Sequence, residues 1–484
     1  MGNTILLNAS YLFVSNIIIR IITALATILV ARNLGAEEYG ALSVALALSV
    51  VAGYFTDMGL THTLIREGTK PYSNIPVLLG TAFKLRILFA MGTTVFCYIL
   101  FHLLYSDQPV LQKTIYFVVL PTVWGGALQG VGVAYYQMIQ KMQFIALIRI
   151  VSGSVTAATL FVGIATRWPL YLLALAYGLS SLVGGVISTA LVLRSIPGLR
   201  GWDRRLLDDL WSFTVGGLLV MILPQLGTVM LERVTNLEEV GYFSVAYRIP
   251  SLMYQLPGVL AAAFYPQLFH LAARDVTQHF RLSIRELKFM SLLGMMIAVP
   301  FAIFPELVVC MIFGSQWVDG ASRALGILAW MVALQSINYP LADALTTLGL
   351  QSRRSGVLVL GFLVGMVTYV LLGSRWGAVG GAEGAIIIEL ILLMGFTLSN
   401  PKGKIMLFIG IGKNIFLFIS YIVIGLLFKF SLGNTGISFL LLCMYIFLIT
   451  ATVDHETRQI VHREIEQYLG GKYGTKKGQL DEEK

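Results

Sequence analysis

Three basic residues, Arg20, Arg248 and Lys413, lie inside long apolar runs, and so do three acids, Asp57, Asp343 and Glu389. A guanidinium offers a planar fork that binds two oxygens of one anion. A carboxyl in apolar surroundings must be paired or protonated, and can carry a proton between the two states. Asp57 falls in the phrase "DMGL" and could pair with Arg66 or gate a mouth. Asp343 follows Pro340, where a bend frees a carbonyl, so it could bind a cation or cap the kink. Glu389 sits mid-run and is a candidate proton carrier. Lys413 is read as snorkelling to an interface. Cys97, Cys310 and Cys443 are isolated, with no CxxC spacing, and are read as packing residues outside any metal or disulfide site.

The elements that position these residues follow from composition. The 484 residues are 57% hydrophobic and 12% charged, with a mean hydropathy of +0.80. A soluble chain carries about 25% charged residues, so this is an all-α polytopic membrane protein. The net charge of +9 is dispersed between apolar runs and not gathered on one face with aromatics, which argues against a nucleic-acid partner. Runs long enough for about 30 Å of hydrocarbon number about fourteen, from 11–31 and 40–60 to 405–428 and 434–451. The first is expected to be a retained helix and not a signal peptide.

Basic residues check that count, because Lys and Arg are kept on the cytoplasmic side. With both termini inside, the inward connections and the tail hold twenty-four of the 34 and the outward connections hold seven; the remaining three are the intramembrane ones. A wrong count would scramble this alternation.

The phrase "ARNLGAEEYGALSVALALS" at 31–49 nearly recurs in "ERVTNLEEVGYFSVAYRIP" at 232–250. An offset of 201 gives seven identities over residues 32–45, among them Arg32 with Arg233 and Gly40 with Gly241. Six spans separate the copies, so the two halves share one orientation. The expected domains are a six-helix bundle over 1–200, a second over 201–400, two additional transmembrane helices over 401–452 and a cytoplasmic tail over 453–484. The segment 264–288 is read as an interfacial helix.

"LGAEEYGALSVA", "FTDMGLTHTLIRE", "EEVGYFSVAYRIP", "AFYPQLFHLA" and "FGSQWVDGASRALGILAW" together resemble the Wzx-type polysaccharide flippases of the multidrug/oligosaccharidyl-lipid/polysaccharide exporter superfamily, over almost the whole chain. The resemblance implies two bundles around a central cavity, no enzymatic activity and no cofactor beyond a coupling ion, H+ or Na+. It also implies translocation of a polyprenyl-pyrophosphate-linked oligosaccharide from the cytoplasmic to the outer leaflet of the plasma (inner) membrane. The expected partners are that glycan-lipid, membrane lipids and other polysaccharide assembly proteins. One departure is Gly227, where many members carry an acid, which puts ion coupling at that position in doubt.

Such a substrate has a charged head that hydrocarbon excludes, and an arginine at mid-membrane costs roughly 2.5–3.5 kcal/mol. A pyrophosphate offsets that cost, so Arg20 and Arg248 are expected to bind it; the alternative is that each pairs with a carboxylate or a backbone carbonyl and locks two helices together. Two rival readings are a drug/cation antiporter of the same superfamily, whose substrates favour carboxylates, and a membrane glycosyltransferase or polymerase, which needs longer outward loops.

Overall fold

The computed structural model describes residues 18–19, 21–196, 198–208, 210–412, 414–431 and 434–453. Arg20, Lys413 and the tail beyond residue 453 lie outside them. Among the described residues every long element is an α-helix and there is no strand. In chain order they are α1 (Ile21–Asn33), α2 (Ala36–Asp57), α3 (Leu60–Gly68), α4 (Ile75–Leu104), α5 (Pro109–Met138), α6 (Met142–Ala165) and α7 (Leu170–Ser195). There follow α8 (Leu210–Ile222), α9 (Leu226–Val234), α10 (Leu237–Met253), α11 (Gln255–Arg274), α12 (Val276–Ile303) and α13 (Pro305–Phe313). The last five are α14 (Val318–Thr347), α15 (Gln351–Ser399), α16 (Gly403–Gly412), α17 (Ile415–Ser431) and α18 (Thr435–Val453).

Nine of the described helical segments are long and apolar enough to cross a membrane, or eleven if each of two bent pairs is one crossing. A count of fourteen requires more: α15 must cross twice, and the shorter α1 and α18 must each cross once. The break in α15 is at Trp376 and Gly377, where Gly377 takes φ 54° and ψ −127°, a conformation only glycine adopts without strain. In α4 only 22% of the most apolar stretch is buried. Leu88, Val95, Phe96 and Leu103 stay exposed on it, and lipid is the solvent that covers such a face.

The chain forms two compact units. The first comprises 1–248, 309–324 and 358–388; the second comprises 249–308, 325–357 and 389–484. In the first unit α5 lies against α2 and α7. Glycines face serines along the α5–α7 seam: Gly125 meets Ser181, and Gly132 meets Ser188, whose hydroxyl donates to the Gln129 carbonyl (2.9 Å). Small residues let helix backbones approach where the hydrophobic effect gives no drive.

The motif at 313–330 has a structural role in the same unit. Trp317 is buried, donates from Nε1 to the Ala31 carbonyl (3.0 Å), and stands edge-on to Tyr39 and Tyr242 at 5.6 and 6.0 Å. It therefore touches both copies of the repeated phrase. Arg32 donates to the carbonyls of Met311 and Ile312, fastening the end of α1 to the same segment.

In the second unit α12 is the central helix. α16, α17 and α18 pack on it, and Leu292, Val299, Ile303, Phe418, Tyr421 and Leu442 form a buried cluster. The expectation of one interfacial helix over 264–288 is corrected here. α11 ends at Arg274, and Asp275 starts a new helix by accepting from the backbone N–H of Thr277 and Gln278 (2.9 and 3.0 Å), an N-cap that ends one helical run and begins another. The residues after it open a 28-residue helix of spanning length.

Candidate functional site

Arg248 is half-buried on α10. Its Nη2 donates to Thr27 Oγ1 on α1 (2.8 Å), while the Thr27 hydroxyl donates to backbone carbonyls of its own helix. The hydroxyls of Tyr39 on α2 and Tyr177 on α7 lie within its electrostatic reach. Three helices of the first unit thus bring hydroxyls near this guanidinium, one of them in hydrogen-bond contact. At Gly227 a side chain would press on Phe243 and on the Tyr369 hydroxyl. Packing accounts for the glycine where the resemblance suggested an acid.

Asp57 ends α2. Met58 and Gly59 then adopt left-handed conformations, φ 42° and 85°, and turn the chain into α3. The carboxylate accepts from Thr61 Oγ1 (2.6 Å) and pairs with Arg86 of α4, which also donates to Thr61 Oγ1 (2.7 Å). Its partner is Arg86 and not Arg66, which binds Glu67 (3.1 Å) and the Asp208 carbonyl (3.1 Å). Arg86, one of the twenty-four basic residues assigned to inward connections, is 2% exposed. Gly130 makes room for it, because a methyl there would overlap the guanidinium. The available signal was the Asn74 cap, which accepts from Val77 N (3.3 Å) and starts the helix three turns before Arg86.

The second unit gathers the carboxyls. Glu389, 6% exposed, accepts from Gln335 Nε2 at 2.7 Å and from Asn338 Nδ2 at 2.8 Å, one amide on each oxygen. Asp343 is buried on α14, with Arg354 within electrostatic reach. One group escaped the sequence reading. Glu286 on α12 is fully buried, and among the described residues no hydrogen-bond donor reaches either of its oxygens. The signal was a helical stripe, His279, Ser283, Glu286, Met290 and Gly294, all buried, which reading 264–288 as an interfacial helix hid.

Among the described residues no three His, Cys, Asp or Glu side chains assemble into a metal site. Arg248 offers anion binding, the Asp57–Arg86 pair fastens two helices, and the carboxyls of the second unit offer proton or cation chemistry.

Long helices in this order, with uncovered apolar faces and charged groups buried among them, define a multi-pass membrane protein with a transporter fold. The fold matches an inward closed conformation of the lipid II flippase MurJ with a TM-score of 0.74 at 13% identity, covering 94% of this chain and all of that one. It also matches an inward-facing multidrug resistance MATE family transporter of the MOP superfamily, with a TM-score of 0.69 at 13% identity over 80% of this chain and 95% of that one. The chain belongs to the polysaccharide biosynthesis protein family, whose sequence pattern matches residues 5–272, more than half of its length. A curated relative, the succinoglycan biosynthesis transport protein ExoT of Rhizobium meliloti (strain 1021), is 26% identical over 318 residues, 62% of this chain; the match spans 60% of that protein.

Proposed function

We propose that the chain is a flippase that moves a polyprenyl-pyrophosphate-linked oligosaccharide from the cytoplasmic to the outer leaflet of the plasma membrane for surface polysaccharide assembly. Its family, and relatives and folds named for transport and flipping and not for catalysis, support a lipid-linked saccharide transporter. The finer reading rests on the 201-residue repeat: two six-helix bundles, 1–200 and 201–400, alternate access around a cationic path, with 401–452 as two accessory helices and both termini cytoplasmic. The glycan-lipid, membrane lipids and other polysaccharide assembly proteins are its partners, and Arg20 and Arg248 hold the pyrophosphate.

The single observation that carries this reading is Arg248 among Thr27, Tyr39 and Tyr177. A guanidinium is costly to hold in hydrocarbon, and its planar fork set among hydroxyls suits the binding of a pyrophosphate head.

The test measures glycan-lipid reaching the outer leaflet in cells, by lectin labelling, against protein abundance. Arg248→Ala is expected to be made normally and to lose translocation, and Arg248→Lys, which keeps charge but loses the fork, to be reduced. Wild-type translocation by Arg248→Ala would remove the assigned role. Altered sensitivity to cationic dyes without glycan-lipid stalled inside would instead favour the antiporter.

A further inference from the structure

Glu286 has a companion across the helix pair. Two contacts fix the register of α12 against α14 in the second unit: His279 Nε2 lies 2.8 Å from Thr347 Oγ1, and Gly294 packs against Ser336 and the Ala333 backbone. Residue numbers rise on one helix as they fall on the other, so the two run antiparallel. Interpolation between the contacts puts Glu286 opposite residues 340–344, the stretch that holds Asp343. The two carboxyls are within electrostatic reach of each other, and Asp343 is within reach of Arg354.

Their surroundings are closed. Asp343 is buried, and its backbone carbonyl already accepts from Thr347 Oγ1 (2.8 Å). On α12, Ser283 Oγ is turned to the His279 carbonyl (3.0 Å), and His279 is bound to Thr347. The other titratable groups near the pair are Tyr339 on α14, Tyr254 at the start of α11, Glu389 on α15, and Lys288 and Arg285 on α12, with Arg285 exposed. Glu389 is occupied by its two amides. Arg354 is the cation that acts on Asp343, and it also donates to Thr346 Oγ1 (2.8 Å).

We propose that Glu286 and Asp343 together carry one exchangeable proton, held on the Glu286 carboxyl while Asp343 stays ionised beside Arg354. This rests on the transporter reading and names its coupling site. With the proton in place, the charges of Glu286, Asp343 and Arg354 sum to zero. Without it one negative charge is left in a site with no donor for it, a state buried environments penalise heavily. Water or a rearrangement of α12 against α14 must then compensate. Loss and gain of this proton therefore biases the packing of the helix at the centre of the second unit, as alternating access driven by a proton gradient requires. Two carboxyls without a third acidic or imidazole ligand suit a proton and not a calcium or magnesium ion, which demands six or so oxygens.

The experiment reads proton binding directly, so it does not depend on glycan-lipid transport. The purified full chain in detergent is titrated without buffer from about pH 5 to about pH 10, a range that covers buried carboxyls. Wild type is expected to take up about one proton more than Glu286→Gln. In Asp343→Asn the step remains but moves to lower pH, because a repelling charge is gone and Arg354 is released to favour ionised Glu286. Asp343→Asn also keeps the test open if Glu286→Gln does not fold. Stimulation of transport by a pH gradient is expected to vanish in Glu286→Gln and to return in part in Glu286→Asp, which a merely structural carboxyl would not show. Identical titrations of wild type and Glu286→Gln, an Asp343→Asn step that does not move, or proton release on adding NaCl but not choline chloride, would each overturn the assignment. Normal proton binding with no glycan-lipid translocation would leave the pair standing and sink the flippase reading.

Discussion

Gly40 and Gly241, equivalent residues of the repeated phrase, pack reciprocally: Gly40 faces the carbonyl of Leu237, and Gly241 faces the carbonyl of Ala36. Ala36 and Leu237 are themselves related by the 201-residue offset. The two copies thus meet each other through the same atoms, as a local two-fold relation demands, and neither position has room for a methyl group. Glycine is required here by close backbone approach, since both residues are inside helices.

Gly40→Ala and Gly241→Ala are each expected to cost about 1–3 kcal/mol through overpacking, seen as a lower melting temperature in detergent and reduced abundance. Gly53→Ala on the same helix as Gly40 meets no atom within 4 Å and should behave like wild type or better. Equal melting temperatures for all three variants would refute the close packing.

The Asp57–Arg86 pair should act as a lock. Asp57→Ala strands the buried Arg86 guanidinium, at about 3–5 kcal/mol, and is expected to be strongly destabilised; Arg86→Ala leaves Asp57, whose side chain is 25% exposed, in reach of solvent and is expected to cost less. The double variant should lose less than the two singles together, because no unpaired charge remains. Additive losses in melting temperature would show that the two groups do not depend on each other.

Glu389 is expected to be structural, because each of its oxygens already accepts from an amide. Glu389→Gln turns a donor toward donors, and should lower abundance by leaving Gln335 or Asn338 unsatisfied at about 1–3 kcal/mol. If Glu389→Gln is made normally and abolishes only pH-gradient-stimulated transport, Glu389 is the proton carrier and not a brace.

The orientation proposed from basic residues is checked by single cysteines. One at Thr235, in an outward connection, should react with an impermeant thiol reagent applied to intact cells, and one at Ser352 should react only after permeabilisation. Labelling of both from one side would refute the assigned topology.

By itself the sequence determined the solvent and the repeat. Apolar runs of spanning length leave a chain no soluble alternative, and seven identities at a 201-residue offset are visible without coordinates. It also singled out Arg248, Asp343 and Glu389, since a charge inside an apolar run stands out against its neighbours. It misplaced Arg86 and Glu286 because both lie where basic and apolar residues mix, and hydropathy places such stretches outside the spans. Only tertiary structure decided their burial. Asn74 and Asp275 cap helices that begin earlier than the apolar runs, and Gly130 opens the space that Arg86 fills. Partner choice was equally out of reach: Asp57 meets Arg86, 29 residues on, and not Arg66. Distance along the chain says nothing about which helices adjoin. That is settled by where small residues allow backbones to close, as at Gly40 and Gly241, and the charges then take whichever partner the packing has brought near.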